Sequence, residues 1–280
     1  MHEVAFSPIL FFPSYLKTGG LTHSSANTYN LAEKGNRDMP LSIQLRGQIE
    51  NFLSDKYLGC LYKEYHWYQD TWGNGFPEMQ KLEVDLTTHT KQGYVTETDI
   101  IGVAKWGHLP NIRGIQCPER IKISLYDSDD LAESFRIDSS THLRQLRETI
   151  KGMGPTYLSK VLMFSRPQRY GAIDTRLVRV FGCGDKDIEG LRWLSLEVRK
   201  SGYRWHIPEY QTSWPGEYGT WIEILHYIAH LCNASGHKCP HPDEYIARGL
   251  REKGIWIVAD VETALFSYAS KAIEGRTLTG

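Results

Sequence analysis

The chain has 280 residues, of which 41% are hydrophobic and 12% are aromatic, and eight of them are Trp. A chain of this length and composition can bury a sizeable core in one large domain or two smaller ones, which excludes a largely disordered protein. The formal net charge is −1 and the sequence pI is about 6.8, which exclude binding to a polyanion through overall charge.

Residues 1–40 are rich in Gly, Ser, Thr and Asn after an apolar start, and they predict an irregular N-terminal arm. Pro8 and Pro13 interrupt the apolar start and no Lys or Arg precedes it, which is not typical of a signal peptide. No segment approaches the roughly 18 uninterrupted apolar residues of a membrane span. The five cysteines are odd in number and mostly far apart, which favours a reducing compartment. We therefore expect a cytoplasmic protein, without membrane association and monomeric.

The segment 41–95 is predicted to pack with the C-terminal part of the chain. Leu41, Leu45, Ile49 and Phe52 recur at spacings of three and four, which predicts a helix. An aromatic cluster follows and ends in turn residues. The apolar and polar residues of 81–96 alternate, which predicts one or two short strands.

The segment 96–214 is predicted to be a helical domain, completed by a C-terminal helical segment at 215–280. Thr96 precedes Asp99 by three residues, the spacing of a capping box at a helix start. The stretch 127–138 contains five acids and one Arg, which favours a solvated helix face or loop. Further helices are predicted at 141–151, 188–202, 219–232, 242–254 and 258–273. The expected fold is therefore mainly α with a minor β element in the N-terminal half.

Two helices joined by the turn Gly152-Met153-Gly154 are predicted near the middle of the chain. Glycines allow a sharp bend and a close approach of the backbone to a partner. Pro155 suits the first turn of the second helix, where the amides near Gly154 have no helical acceptor and attract phosphate. The surrounding segment 141–180 has eight basic and two acidic residues, a local charge of +6. An ordinary packing unit of two helices is the alternative.

A loop containing Pro and Gly connects this hairpin to Ile173 and Asp174. Asp174 is suited to be the N-cap of a helix that carries Arg176 and Arg179. A capping role alone would account for Asp174.

The combination of Gly-x-Gly, a short helix, a Pro-bearing loop, an apolar residue and Asp resembles the helix–hairpin–helix DNA glycosylases with a Gly/Pro-rich loop, over the segment 143–181. The resemblance implies a fold of two helical lobes, with the hairpin at about 141–163. It also implies an enzyme that flips a base out of double-stranded DNA and cleaves its N-glycosidic bond. Asp174 stands 18 residues after Thr156, as the family's catalytic Asp stands after the equivalent position, and the resemblance makes Asp174 the catalytic residue.

Thr156 occupies the position where bifunctional members of that family have a Lys. Since Thr has no amine for a Schiff base, a monofunctional enzyme is expected, which hydrolyses the bond and leaves an abasic site. Lys160 lies one helical turn further and is the nearest other amine. We interpret it as a surface or phosphate-contacting lysine.

The resemblance also implies contacts to DNA, and the proposed contact residues are Gly152, Gly154, Thr156, Lys151, Lys160, Arg176 and Arg179, with Arg166 and Arg169 as further candidates. It implies that a monovalent cation, K⁺ or Na⁺, is bound by the backbone carbonyls of Glu148, Ile150 and Met153. No other cofactor is expected. Candidates for the base pocket are Tyr157, Trp67, Tyr68 and Trp72, for which the alternative is the aromatic core.

Six His and Cys side chains fall within 226–241, namely His226, His230, Cys232, His237, Cys239 and His241. Their spacing fits no common zinc module, and a helix followed by a polar loop is expected rather than a structural zinc site. A zinc hydrolase based on this segment ranks last, because a Glu next to His226 is missing.

Two questions about function stay open at this point. A non-catalytic DNA-binding protein that uses the hairpin alone is the alternative to an enzyme. Asp174 argues against it, because a negative charge facing the DNA backbone does not help binding. The target is either a damaged or mismatched base, as in DNA repair, or a hypermodified base of phage DNA, as in antiviral defence.

Overall fold

The computed structural model describes residues 41–126, 132–183, 185 and 190–277. The predicted arm 1–40 and part of the acidic stretch, residues 127–131, lie outside the described residues. The prediction of a mainly α fold is confirmed. The helices are α1 Ile43–Asp55, α2 Leu58–Lys63, α3 Pro77–Thr90, α4 Glu97–Trp106, α5 Ala132–Thr149, α6 Pro155–Ser165, α7 Thr175–Phe181, α8 Gly216–Ala234, α9 Asp243–Ala247 and α10 Val258–Thr277.

The β structure of the described residues consists of two-stranded antiparallel pairs. The strands are β1 His66–Trp67 with β2 Asp70–Thr71, β3 Tyr94–Thr96 with β4 Arg120–Lys122, and β5 Arg199–Ser201 with β6 Arg204–His206. In the second pair Val95 lies opposite Ile121, and both side chains are buried. These short pairs shape the connections between helices.

Local signals in the sequence account for several helix starts. Ser42 caps α1 through its hydroxyl, and Thr96 and Asp99 form both hydrogen bonds of the predicted capping box at α4. α6 begins at Pro155, as predicted. These caps fix where the helices around the hairpin begin.

Two predicted elements are wrong. Residues 81–90, predicted as strand, belong to α3, because Met79, Leu82 and Leu86 form a buried face at helical spacing after Pro77 at the first turn. Residues 190–198, predicted as part of a helix, have no regular secondary structure, and Arg192 among them has φ +54°. Their backbone is bonded to the C-terminal end of α7, where the amide of Leu191 donates to Val180. The apolar spacing of this segment serves to bury side chains over α7 and not to form a helix.

The helices form two packed groups. In one group α3 and α4 pack against each other and against α6, and α6 also contacts α5. In the other group α10 packs against α2, α7 and α8, while α8 packs along α5. The segment 41–95 therefore contributes to both groups, with α3 in the first and α2 in the second. α6 and α7, which follow one another in the chain, bring the two groups together at the loop before Asp174.

None of the helices in the described part of the chain combines the length and the apolar character required to cross a bilayer.

Candidate active site

The hairpin turn is held against the loop around Gly114. The amide of Lys151 donates to the carbonyl of Gln116 at 2.9 Å, and the amide of Gln116 donates back to Lys151 at 3.2 Å. Gly152 has φ +82°, and a Cβ at this position would lie 2.3 Å from the carbonyl oxygen of Gly114. Gly152 is therefore required by the packing of two backbones. Gly154 differs, because a Cβ there would meet no atom within 4 Å.

α6 is also fixed to the loop that carries Asp174. The hydroxyl of Ser159 accepts a hydrogen bond from the amide of Ile173 at 3.0 Å, and both residues are buried. This bond joins the hairpin's second helix to the residue directly before Asp174. The second helix of the hairpin and the loop before Asp174 are thus held together by a buried hydrogen bond between a side chain and the backbone.

Asp174 is the N-cap of α7, as predicted. Its Oδ1 accepts a hydrogen bond from the amide of Arg176 at 2.8 Å, and its Oδ2 lies 3.8 Å from the Nζ of Lys160. The residue is 8% exposed. One carboxylate oxygen therefore holds the helix, and the other faces a buried ammonium group.

Lys160 lies in an aromatic cage, which we define as Lys160 with the rings of Trp67, Trp106 and Tyr157. The Nζ is 5.1 Å from the ring centroid of each Trp and 5.6 Å from that of Tyr157. Lys160 is 5% exposed, so the expectation of a surface lysine is wrong. Burial lowers the pKa of Lys160, while the charge of Asp174 opposes this shift. The three rings in turn favour the charged ammonium form.

Glu262 of α10 is a third ionisable group at this site, and the sequence analysis did not identify it. It is 6% exposed, and its Cβ and Cγ lie against Gly171, in the loop that leads to Asp174. Burial raises its pKa to about 8, with Asp174 adding to the shift and Lys160 opposing it. Near neutral pH the site therefore holds a neutral Glu262 beside the ion pair of Lys160 and Asp174. The available signal was an acid among the mostly apolar residues of 258–269, a segment that also contains Asp260.

The structure separates the four aromatic candidates for the base pocket. Trp67 and Tyr157 belong to the cage, and Tyr68 is in edge contact with Trp67 at 5.3 Å. Trp72 lies elsewhere and donates from its indole to the carbonyl of Pro240 at 2.6 Å. Trp106 was not among the candidates, although its indole contributes to the cage and donates to Asp70 at 2.6 Å.

The arginines of this region divide into buried and partly accessible ones. Arg169 is 1% exposed and is bonded to Asp138 at 2.6 Å, and the buried Arg166 donates to the carbonyl of Leu125. The expectation that these two contact phosphates is therefore wrong in this structure.

Other basic candidates for DNA contacts remain partly or fully accessible. Arg176 packs over Trp67 at 5.4 Å, beside the cage. Arg179 is bonded to Asp185 at 2.6 Å, and Lys151 is exposed on the hairpin. Lys151 is thus accessible at the hairpin turn, and Arg176 is partly accessible at the start of α7.

The backbone carbonyls proposed to bind a monovalent cation lie at the end of α5 and in the turn. Within the described residues, none of the backbone hydrogen bonds outside helices and strands uses the carbonyl of Glu148, Ile150 or Met153 as its acceptor. These oxygens are therefore compatible with a cation ligand role.

The His and Cys cluster is largely dispersed. His226 stacks on Phe135 with ring centroids 3.7 Å apart. Ligand atoms of Cys239, His241 and Asp260 lie within 4.8 Å of one another. The two oxygens of Asp260 accept hydrogen bonds from Arg251 and His241. A guanidinium group bonded to Asp260 disfavours a divalent cation there by charge repulsion.

The chain matches no family model, no curated protein and no solved structure. Its function is therefore argued from its own residues.

Proposed function

We propose that the protein is a monofunctional DNA glycosylase, which flips a modified or damaged base out of double-stranded DNA and hydrolyses its N-glycosidic bond. One observation carries the proposal. A carboxylate, Asp174, is held at a helix start beside a buried ammonium group, and the same loop is tied to a Gly-x-Gly hairpin. Such a hairpin is suited to hold a DNA phosphate, and a carboxylate at a fixed position beside it is suited to act on the adjoining sugar.

The proposed chemistry follows from the charges. Departure of the base with the electron pair of the glycosidic bond leaves positive charge on the deoxyribose, which the carboxylate of Asp174 stabilises. A water molecule forms the new bond to C1′ and its proton passes to Asp174, while the departing base takes a proton from solvent. Lys160 orients Asp174 by facing its Oδ2 at 3.8 Å, and removal of the ammonium group would leave the buried carboxylate without this partner.

Hydrolysis without strand cleavage is supported by the chemistry of Thr156 and by the surroundings of Lys160. Thr156 has no amine. Burial lowers the pKa of Lys160, but pairing with Asp174 and the three surrounding aromatic rings oppose this shift and favour the protonated amine. A protonated amine is not a nucleophile. We therefore expect borohydride to trap no covalent complex with DNA. Efficient trapping that is lost in Lys160→Ala would show instead that Lys160 forms a Schiff base.

The test of the function compares the wild-type protein with Asp174→Asn on ordinary, damaged and phage-modified duplexes, with abasic sites as the readout. Asn is also a good N-cap, so the variant keeps the start of α7 while it loses the charge. Loss of an electrostatic contact to the transition state predicts a decrease in base release of about 100-fold or more. The exposed Asp55→Asn is the matched control and is expected to keep full activity.

The outcomes also separate an enzyme from a binding module. If the wild-type protein binds these duplexes but releases no base from any of them, the non-catalytic alternative is favoured. The choice between DNA repair and antiviral defence follows from which duplex is processed.

A further inference from the structure

A large cleft adjoins the aromatic cage. It has a volume of about 800 Å³, and Trp67, Trp106, Tyr68 and His108 lie along one side of it. Trp67 and Trp106 are also the two indoles that approach the ammonium group of Lys160 at 5.1 Å. Trp67 and Trp106 therefore belong both to the lining of the cleft and to the cage around Lys160.

Tyr68 and His108 form a stacked pair at the edge of this cleft. Their ring centroids are 3.5 Å apart with an interplanar angle of 25°, and Tyr68 is 58% exposed. Both residues have φ in the left-handed region, +53° for Tyr68 and +55° for His108. Bulky residues rarely adopt this conformation, and strained backbone of this kind is concentrated at functional sites. The pair presents a flat aromatic face next to the cage, and a nucleobase stacks well on such a face.

The charges along the cleft differ from those of the hairpin. Four carboxylates and two lysines line it, so a phosphate is not favoured there. Asp70 and Asp99 are already bonded within the protein, to Trp106 and to His89. Glu78 and Asp85 are exposed, and within the described residues their side chains make no hydrogen bond or ion pair, which leaves their oxygens able to accept hydrogen bonds.

We propose that this cleft receives the extruded base, stacked on the Tyr68–His108 pair, and that Glu78 and Asp85 favour a base enlarged by a substituent with amino or hydroxyl donors. The volume supports the second part, because cavities of roughly 300–1,000 Å³ hold ligands of drug size and an unsubstituted base leaves most of such a cleft empty. The proposal rests on the proposed glycosylase function and names its substrate class.

The first experiment measures binding in the Asp174→Asn protein, so that excision does not interfere. Three duplexes of one sequence carry a single thymidine, 5-hydroxymethyl-2′-deoxyuridine or 5-aminomethyl-2′-deoxyuridine. These bases differ only in the donor on one carbon atom. Affinity is expected to rise from methyl through hydroxymethyl to aminomethyl. Adding Glu78→Ala and Asp85→Ala together removes both sets of acceptor oxygens and is expected to abolish the difference, whereas the exposed Glu197→Ala is expected to preserve it.

The second experiment tests the cleft without DNA. The intrinsic fluorescence of the protein, which has Trp67 and Trp106 among its eight Trp, is followed while the three free nucleosides are titrated into the wild-type protein, Tyr68→Ala, His108→Ala and the exposed control Tyr203→Ala. Loss of a stacking face predicts a decrease in affinity of about fivefold or more in the first two variants and none in the control.

The two experiments distinguish failure of this proposal from failure of the proposed function. Equal affinity for the three bases, or a preference that survives in the Glu78 and Asp85 variant, overturns the proposal. Nucleoside binding that does not depend on Tyr68 or His108 also overturns it. If the nucleosides bind as expected but no base is released from any duplex, the cleft proposal stands and the glycosylase function fails.

Discussion

Around Asp174, the pKa values of Lys160 and Glu262 depend on the charges of their neighbours. Lys160 and Asp174 form an ion pair with 7% and 11% exposed side chains, and the nearby Glu262 is neutral below a pKa of about 8. Arg176 adds a further positive charge beside the cage, over the rings of Trp67 and Phe266. Tyr65 and Tyr218, also buried, have pKa values raised by burial and by the charge of Glu262. Ionisation of Glu262 adds a second carboxylate charge near that of Asp174.

The substitution Glu262→Gln is predicted to change how stability depends on pH. The pKa of Glu262 is raised in the folded protein to about 8 from an ordinary value of 4.5. The stability that its neutral form contributes is thus fully present below the ordinary value and is lost as pH rises through about 8. Gln does not ionise, so the free energy of unfolding of the variant relative to the wild type is expected to rise between pH 5 and pH 9, by an amount on the order of a few kcal/mol.

Urea denaturation of the two proteins at pH 5, 7 and 9 measures this difference. Glu244→Gln, on the exposed side of α9, is the control and is expected to show a difference independent of pH. A difference for Glu262→Gln that is the same at all three values would mean that the carboxyl is ionised throughout.

At the scale of elements, the turn of the hairpin provides a matched pair of glycines. Gly152→Ala is predicted to destabilise the protein by about 2 kcal/mol or more, because it combines a left-handed backbone with a Cβ that would overlap the carbonyl oxygen of Gly114. Gly154→Ala has open space and φ −91°, and is predicted to leave stability within about 1 kcal/mol. Thermal and urea denaturation of both variants measure these changes.

The effect of Gly154→Ala on DNA binding is expected to exceed its small effect on stability. The open space at Gly154 is where a phosphate can approach the amides at the start of α6, and a methyl group fills part of it. Gly154→Ala is therefore predicted to weaken binding to duplex DNA while the fold is kept. Unchanged binding in this variant would place the phosphate contact elsewhere.

The sequence allowed prediction of those elements whose signals are local. The capping box at Thr96, the start of α6 at Pro155 and the N-cap role of Asp174 depend on residues a few positions apart, and all three are confirmed. The irregular conformation of the segment 190–198 could not be predicted from local signals. Its backbone hydrogen bonds are made to the end of α7, which is distant in sequence from most of the segment's residues. The cage depends on residues from separate elements, so no local spacing brings Trp106 or Glu262 next to Lys160.

At the scale of the whole molecule, a buried network of charges joins the two groups of helices. Arg251 donates to Glu83 of α3 at 2.5 Å and to Asp260 of α10 at 2.9 Å, and Asp260 also contacts His241. Burial raises the pKa of Glu83. For Asp260, burial acts in the same direction, but Arg251 and His241 outweigh it and lower the pKa. The network links the group that contains α6 to the helix that carries Glu262, and so helps to hold the two sides of the candidate site together.

Arg251→Met is predicted to destabilise the protein by about 3–5 kcal/mol, because it leaves two buried carboxylates without their common partner. Lys271→Met is the control, since Lys271 and Glu64 form a pair whose side chains are 54% and 43% exposed. Its effect is expected to stay below about 1 kcal/mol. Urea denaturation measures both, and Glu83→Gln is expected to recover part of the loss in the Arg251→Met background by removing one unpaired charge. If Arg251→Met and Lys271→Met lose the same free energy of unfolding, the buried network does not hold the two groups of helices together, and their packing must come from apolar contacts alone.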